Sequence, residues 1–514
     1  MNLIKKNIAA NFAGSIWQSL MSLIFIPLYI KFMGIESWGL IGIFATLQAM
    51  FGLLDMGLSS TLNREMARLS VLPGKEQEMR NIVRTMEVIY WGVAVFVGIT
   101  VTALSPFIVH HWIKAGQLSP KTIEQALLIM GLVMALQMPI GFYSGGLMGL
   151  QRQVLLNVIN ISIGTLRGAG AVLVLWLVSP TIQAFFLWQI VTSAINIFLL
   201  ALFLWRRLPR SDSKAVFQKR LLKGIWKFAA GMSGISILAV ILAQLDKVTL
   251  SKMLSLEMFG YYMLASVVAM SLGRFFTPVF YSVYPRFTQL VSIDDQDGLK
   301  QLYHKSCQFM SVLILPVAIV IALFSYEILL LWTQNPVTAK KTHLIVSILI
   351  SGSAINGLMN LPYALQLAFG WTRLSVFKNI IAVILLVPFI VFMAAHYGVV
   401  GAACVWLVLH TALFFIEIPI MHRRLLRQEK WRWYWQDVGI PLFACLLVAG
   451  FGRLFITRSM FQPFVLLFII FVFTLTLGTA IIITPTSRAW VFEHLSKIKF
   501  IRNRRMMFIS KTQV

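Results

Sequence analysis

Lys31-Phe-Met-Gly-Ile-Glu36-Ser-Trp-Gly39 and Lys252-Met-Leu-Ser-Leu-Glu257-Met-Phe-Gly260 carry the same three residues at the same spacing, 221 positions apart. The same offset sets Lys6 on Lys227, and Gly149-x-x-Arg152 on Gly370-x-x-Arg373, with no change of register. Isolated identities mean little in so apolar a chain. These cluster at the junctions between apolar runs and hold one frame across both halves. Parallel repeats related by an axis along the membrane normal are the architecture of two-lobed transporters, with a substrate path between the lobes.

Composition agrees. The chain of 514 residues is 59% hydrophobic and only 12% charged, which excludes a soluble domain of this length. Apolar stretches of about 20 residues, each long enough to cross a bilayer, recur from end to end. Fourteen are expected, near 8–32, 37–62, 84–109, 123–149, 154–178, 181–205, 228–251, 257–284, 304–331, 343–369, 374–396, 398–421, 437–456 and 462–484. The chain therefore reads as an all-α, polytopic membrane protein, with two six-helix lobes in parallel pseudo-twofold repeat plus two C-terminal helices. The expected divisions are an N-lobe at 1–212, a linker at 213–227, a C-lobe at 228–424, helices 13 and 14 at 437–484, and a basic tail at 485–514.

The net charge of +26 is unevenly distributed. With the N-terminus inside, the inner segments hold 33 of the 44 Lys and Arg and the outer segments 8; Arg167, Lys247 and Arg274 fall inside helices. That bias places both termini in the cytoplasm and explains the basic loops as anchors to anionic lipid rather than nucleic-acid sites. Asn11 and Gln18 interrupt the first apolar run, which reads as a retained helix rather than a signal peptide. Cys307, Cys404 and Cys445 lie in predicted spans without metal-ligand spacing, so they read as packing residues and no metal or other cofactor is expected. A G-x-x-x-x-G-K-[ST] loop is absent, so the chain has no P-loop ATP site of its own.

Polar residues in hydrocarbon are costly, so they point to function. Asn11, Ser15, Gln18 and Ser22 share one face of helix 1, and Gln48, Gly52, Asp55 and Ser59 one face of helix 2. Helix 7 offers Ser233, Ser236, Gln244 and Lys247; helix 8 offers Ser271, Arg274, Thr277 and Tyr281. Any one of these can glue helices together. Four stripes on the four helices matched by the repeat favour a watery cavity, with Asn11, Gln18, Gln48 and Gln244 lining it. Asp55 and Arg274 sit at nearly equal depth in opposite lobes, and an inter-lobe ion pair at a cytoplasmic gate is expected. Arg167, near the middle of helix 5, faces substrate or pairs with a buried acceptor. Asp246 and Lys247 are adjacent and point to different sides, so they are not expected to pair with each other. His410 and Glu417 share a face of helix 12, as a structural patch or a proton relay.

The stretch Phe51-Gly-Leu-Leu-Asp55-Met-Gly57-Leu-Ser-Ser-Thr61-Leu-Asn63-Arg64-Glu65-Met-Ala-Arg68 resembles the second-helix signature of polysaccharide-transport flippases. These form the O-antigen (Wzx-type) branch of the multidrug/oligosaccharidyl-lipid/polysaccharide exporter superfamily. Asp246-Lys247-x-x-Leu-Ser251-Lys252 with Glu257-x-Phe259-Gly260-Tyr-Tyr262-x-Leu-Ala265 is similar to that family's helix 7–8 junction, and the likeness extends over roughly residues 8–424. The resemblance implies a non-enzymatic flippase of the bacterial inner membrane. It would carry an undecaprenyl-diphosphate-linked oligosaccharide between leaflets by alternating access, for O-antigen, capsule or exopolysaccharide synthesis. The implied partners are that substrate, membrane lipid, and the polysaccharide polymerase and chain-length machinery. Arg274, Arg167, Lys247, Arg64 and Arg286 are then the cationic path for the diphosphate, and Asp55, followed by Asp246, the carboxylates for gating or ion coupling.

Other readings make different demands. A lipid II flippase also has fourteen helices, but its Arg-rich second-helix pattern is not matched by Asn63-Arg64-Glu65. A drug or cation antiporter of the same superfamily calls for acidic cavity residues. A membrane polymerase or ligase needs catalytic residues on sizeable outer loops, whereas the longest here, around His110–Thr122, is about a dozen residues.

Overall fold

The computed structural model describes residues 3–456, 462–486 and 488–489. The side chains of Lys5, Lys227, Ser233 and Ser236, together with Arg458 and most of the basic tail 485–514, lie outside the described residues. Among those described, every regular element is helical, apart from one isolated parallel bridge between Lys114 and Ser255. The order is α1 (Leu3–Phe51), a 3₁₀ turn (Gly52–Asp55), α2 (Leu58–Leu69), α3 (Glu76–His111), α4 (Pro120–Gly149), α5 (Gln153–Leu177) and α6 (Ile182–Arg207). Then come α7 (Lys219–Met253), α8 (Leu256–Met270), α9 (Gly273–Ser292), α10 (Gln296–Leu323), α11 (Ser325–Thr333), α12 (Pro336–Leu358) and α13 (Asn360–Ala368). The last are α14 (Arg373–Arg424), α15 (Lys430–Arg432), a π-helical segment (Trp433–Gly439), α16 (Ile440–Arg453) and α17 (Gln462–Ile483).

Among the described residues, eleven helical stretches are long and apolar enough to cross a membrane. Two of them, Ala13–Asp55 and Arg373–Arg424, each hold two crossings. Each is interrupted by one glycine outside helical space, Gly34 (φ 82°, ψ 165°) and Gly398 (φ 59°, ψ −144°). Side chains other than glycine's hydrogen are excluded from those regions, so a single residue turns the chain where short loops were expected. With these doubled, and the 35-residue α7 standing where helix 7 is expected, the order of long helices follows the fourteen expected crossings.

The 221-residue repeat is visible as a reciprocal contact. A Cβ on Gly39 would lie 2.3 Å from the Leu256 carbonyl oxygen, and a Cβ on Gly260 would lie 2.3 Å from the Ile35 carbonyl oxygen. Ile35 and Leu256 are themselves one offset apart, so this is the same backbone approach made twice about a local twofold. Gly42 meets Met263, again its own counterpart, at 2.4 Å. Glycine is what permits the approach.

The repeat also overturns one expectation. Helices 2 and 8 were read as continuous spans, but each breaks. α1 ends at Phe51 ahead of Gly52, and α8 ends at Met270 ahead of Gly273. Gly52 and Gly273 are one offset apart. Weak helix propensity at glycine, repeated in register, interrupts both helices at the same depth.

The chain divides into two compact units. The first comprises Met1–Met263 and Asn379–Ala395, the second Leu264–Lys378 and His396–Val514. In the first, α4 is central, packed on α2, α3 and α6. Buried Leu58, Leu62 and Met66 of α2 meet Val83 and Met86 of α3, and Phe142 and Leu147 of α4. In the second, α10 is central and packs against α9, α12, α16 and α17.

Candidate functional site

A cavity with a partly polar lining forms at the break in helix 2, in the first unit. Met56 (φ 46°) and Gly57 (φ 76°) both take the left-handed conformation, which ends the 3₁₀ turn and starts α2 on a new axis. Asp55 is the last residue of that turn. Its Oδ1 accepts the backbone N–H of Ser59 at 3.3 Å, and also the hydroxyls of Ser59 and Tyr90. The two hydroxyl oxygens lie 3.0 Å apart. Tyr90 comes from α3, is buried, and stacks on Phe142 of α4 with ring centroids 4.9 Å apart. Asp55 is thus held by α2 and α3, while Oδ2 accepts no hydrogen bond among the described residues.

The cavity beside it has a volume of about 360 Å³ and is lined by Gln48, Asp55, Ser59, Met134, Gln137 and Gly141. Gln48 donates to the Gln137 side-chain carbonyl, and Gln137 donates to Ser193 Oγ of α6 at 3.0 Å. The backbone of α2 runs close along α4. A Cβ on Gly145 would lie 2.5 Å from the Ser59 carbonyl oxygen, and one on Gly149 2.4 Å from that of Asn63. The wall is therefore a hydrogen-bonded polar network carrying one carboxylate, inside a helix bundle of membrane-spanning length. Such a surface can hydrogen-bond hydroxyl-rich groups or water.

Gln48 and Asp55 are the two expected site residues that the fold brings together in this cavity, with Ser59 and Gly52 of the same stripe. Arg64 is exposed on α2. Arg167 is half-buried in α5, and its Nε and Nη2 have no hydrogen-bond partner among the described residues. Next to it, Tyr29 of α1 donates to the Gly168 carbonyl at 3.3 Å, and Gly168 admits the Phe25 ring. Asn11 accepts from Asn157 at 2.6 Å and is exposed, as is Gln18; Gln244 is half-buried. In the second unit, Arg274 is exposed in the first turn of α9, and Arg286 donates to Gln289 at 2.9 Å.

Asp246 and Lys247 require a correction. Adjacent helical residues point apart, yet the Lys247 ammonium lies 3.2 Å from Asp246 Oδ1 and 3.3 Å from Oδ2. It also donates to the Ala243 carbonyl at 2.8 Å, and Tyr262 donates to Asp246 Oδ2 at 2.6 Å. Both residues are buried, and a four-carbon stem lets the charge curl back to its neighbour, where pairing offsets the cost of desolvation. His410 and Glu417, by contrast, do not hydrogen-bond to each other. His410 contacts the Trp406 carbonyl at 3.0 Å, while Glu417 accepts from Lys378 at 2.7 and 2.8 Å and from Gln366 at 2.9 Å.

Several participants were not singled out from sequence. Tyr90, Gln137 and Ser193 are polar residues in largely apolar helices, Ser193 among Gln189, Thr192 and Asn196 of α6, and polar residues in apolar helices are the same signal that marks Gln48. Glu36, noted only as a repeat marker, is buried and accepts the backbone N–H groups of Gly116, Gln117 and Leu118 at 2.5, 2.8 and 3.0 Å. A second cavity of about 620 Å³ is bordered by His110, His111, Trp112, Lys114 and Lys252. Lys114 and Lys252 stand by the C-terminal end of α7, where Lys114 caps the Met253 carbonyl at 3.1 Å, so they complement its helix dipole.

The family model for polysaccharide biosynthesis protein matches residues 4–291, which spans this whole cavity and more than half of the chain. The chain belongs to the polysaccharide biosynthesis protein family. A curated relative of this family member, the putative O-antigen transporter of Shigella flexneri, is 23% identical over 407 residues, covering 78% of this chain and 94% of its own. Two solved structures share the fold. The lipid II flippase MurJ in an inward closed conformation aligns with a TM-score of 0.65 at 12% identity, covering 91% of this chain and 97% of its own. An inward-facing multidrug resistance MATE family transporter of the MOP superfamily aligns with a TM-score of 0.62 at 13% identity, covering 79% and 96%. The family expected from Phe51–Arg68 and Asp246–Ala265 is borne out, and so is the fold. This polysaccharide biosynthesis family member is a multi-pass membrane protein.

Proposed function

We propose that the protein is a flippase that moves undecaprenyl-diphosphate-linked oligosaccharide repeat units across the bacterial inner membrane by alternating access, for surface polysaccharide synthesis. The observation that carries this reading is the cavity at the helix 2 break, where Gln48, Gln137 and Ser59 offer polar groups suited to sugar hydroxyls within a bundle of membrane-spanning helices. Family membership and the O-antigen transporter relative support the substrate class. In this reading the lipid tail stays in the bilayer while the sugars and diphosphate take a hydrated path. Arg167, Arg64, Arg274 and Arg286 supply its positive charge. Lys247, neutralised by Asp246, contributes less. Asp55 is the carboxylate for ion coupling, and both termini are cytoplasmic.

Deletion of the gene, with lipid-linked oligosaccharide assayed on each leaflet, tests the proposal. Loss of surface polymer with accumulation of the complete lipid-linked unit on the inner leaflet is expected. Normal polymer and normal leaflet distribution, in a strain without a redundant flippase, would refute it. Failure to support peptidoglycan synthesis in a strain depleted of its lipid II flippase would separate this reading from the lipid II alternative.

A further inference from the structure

A second cluster of buried titratable groups lies in the other unit, on α10, and the proposed function makes no use of it. His304 Nε2 lies 3.0 Å from Glu429 Oε2, and its Nδ1 bonds Asp437 Oδ2. Gln308, one turn further along α10, donates to Asp437 Oδ1 at 3.0 Å. Its own carbonyl accepts from the backbone and hydroxyl of Thr486, at 3.4 and 2.5 Å. His304 is 2% exposed and Asp437 fully buried. One helix therefore grips the entry of the α16–α17 hairpin through Glu429 and Asp437, and its exit through Thr486.

The chemistry of the central contact sets its proton count. Ionised carboxylates only accept hydrogen bonds, and a neutral imidazole has one N–H and one lone pair. An imidazole bonded through both nitrogens to two carboxylates must carry a proton on each, or one carboxyl must be protonated. Either way the complete network holds one proton more than neutral His304 with two carboxylates. Removing that proton sets a nitrogen lone pair against a carboxylate and leaves two negative charges around a buried neutral ring, one of them on fully buried Asp437. The π-helical segment Trp433–Gly439 adds a residue to the turn that delivers Asp437 and Trp433 to α10, a local departure that frequently marks functional sites.

We infer that His304, Asp437 and Glu429 form a proton-binding site that locks the α16–α17 hairpin onto α10. Among the described residues, other titratable groups stand near the cluster. Tyr303 and Cys307 stand on α10, His422 on α14 with its Nε2 3.2 Å from the Tyr303 hydroxyl, Lys430 and Arg432 on α15, and Tyr434 on the π segment. Arg432 lies 3.6 Å from Glu429 but is half-exposed, so it offsets only part of the negative charge. The docked hairpin binds the proton, so docking is favoured on the acid side and lost as pH rises. The site gives an otherwise unexplained pair of helices a control input, independently of the substrate the protein carries.

Hydrogen–deuterium exchange of the full chain in lipid nanodiscs, from about pH 6 to pH 9 and corrected for intrinsic exchange, tests this. Protection of 430–453 and 462–486 should fall about tenfold or more toward alkaline pH in the wild type, against an unchanged α4. His304→Gln should abolish that pH dependence, and His422→Gln should keep it. Flat wild-type protection across the range would overturn the inference, as would a His304→Gln protein that keeps the wild-type response. Should His304→Gln fail to fold, Asp437→Asn serves in its place. Loss of the response leaves the flippase reading untouched, because that reading is scored on leaflet distribution alone.

Discussion

Substituting Gly145 by alanine tests the packing that holds the polar cavity together. The new methyl would lie 2.5 Å from the Ser59 carbonyl oxygen, 3.2 Å from its carbon and 3.5 Å from its Cα. All three are backbone atoms of α2, so no side chain can rotate away. Restoring van der Waals contact requires α2 to retreat by roughly 1 Å. Overpacking of that kind costs about 1–3 kcal/mol. The retreat also carries Ser59 off Asp55, weakening hydrogen bonds to a charged acceptor worth about 1.5–3 kcal/mol each. A net loss of about 2–4 kcal/mol is expected after partial relaxation, together with failure to restore surface polysaccharide in a deletion strain. Gly92→Ala is the control, because its Cβ meets nothing within 4 Å on exposed α3. Unfolding midpoints in detergent and complementation of the deletion strain provide the two readouts. If Gly145→Ala matched Gly92→Ala in both, close approach of α2 to α4 would not be what positions Asp55.

Other substitutions probe single contacts. Asp55→Asn should fold to near wild-type stability yet lose most transport, measured as surface polymer at matched expression; full transport would remove Asp55 from coupling. Lys247→Met strands Asp246 with Tyr262 and should cost about 3–5 kcal/mol in unfolding experiments. The double variant with Asp246→Asn should recover much of that loss, and additive losses would contradict the pairing. Glu36→Gln removes the charge that three backbone N–H groups converge on, so the 112–118 loop should become susceptible to protease, with about 2–3 kcal/mol lost; an uncut loop would count against this anchor.

Much of the architecture was legible in the chain itself, because the bilayer imposes it. Apolar runs of spanning length, a cation bias between loops and the 221-residue offset are one-dimensional signals of a hydrocarbon solvent and a duplicated fold. The same offset anticipates the reciprocal approach of Gly39 and Gly260, since small residues in register mark where two backbones meet. Gln48, Asp55 and Ser59 were recognisable as one stripe by spacing alone.

What spacing could not supply was the choice of partner. That Asp55 answers to Tyr90, that Gln48 reaches Gln137, and that Glu36 collects three distant backbone N–H groups are facts about helices brought side by side. Lys247 curls back to Asp246 because burial removes water as the competing partner, which no helical wheel represents. His304, Asp437 and Glu429 lie up to 133 residues apart in sequence and look unremarkable singly. Local sequence sets which residues are polar and how far apart they stand on one helix. Only tertiary packing decides which of them share a dry space, and it is there that desolvation turns proximity into pairing.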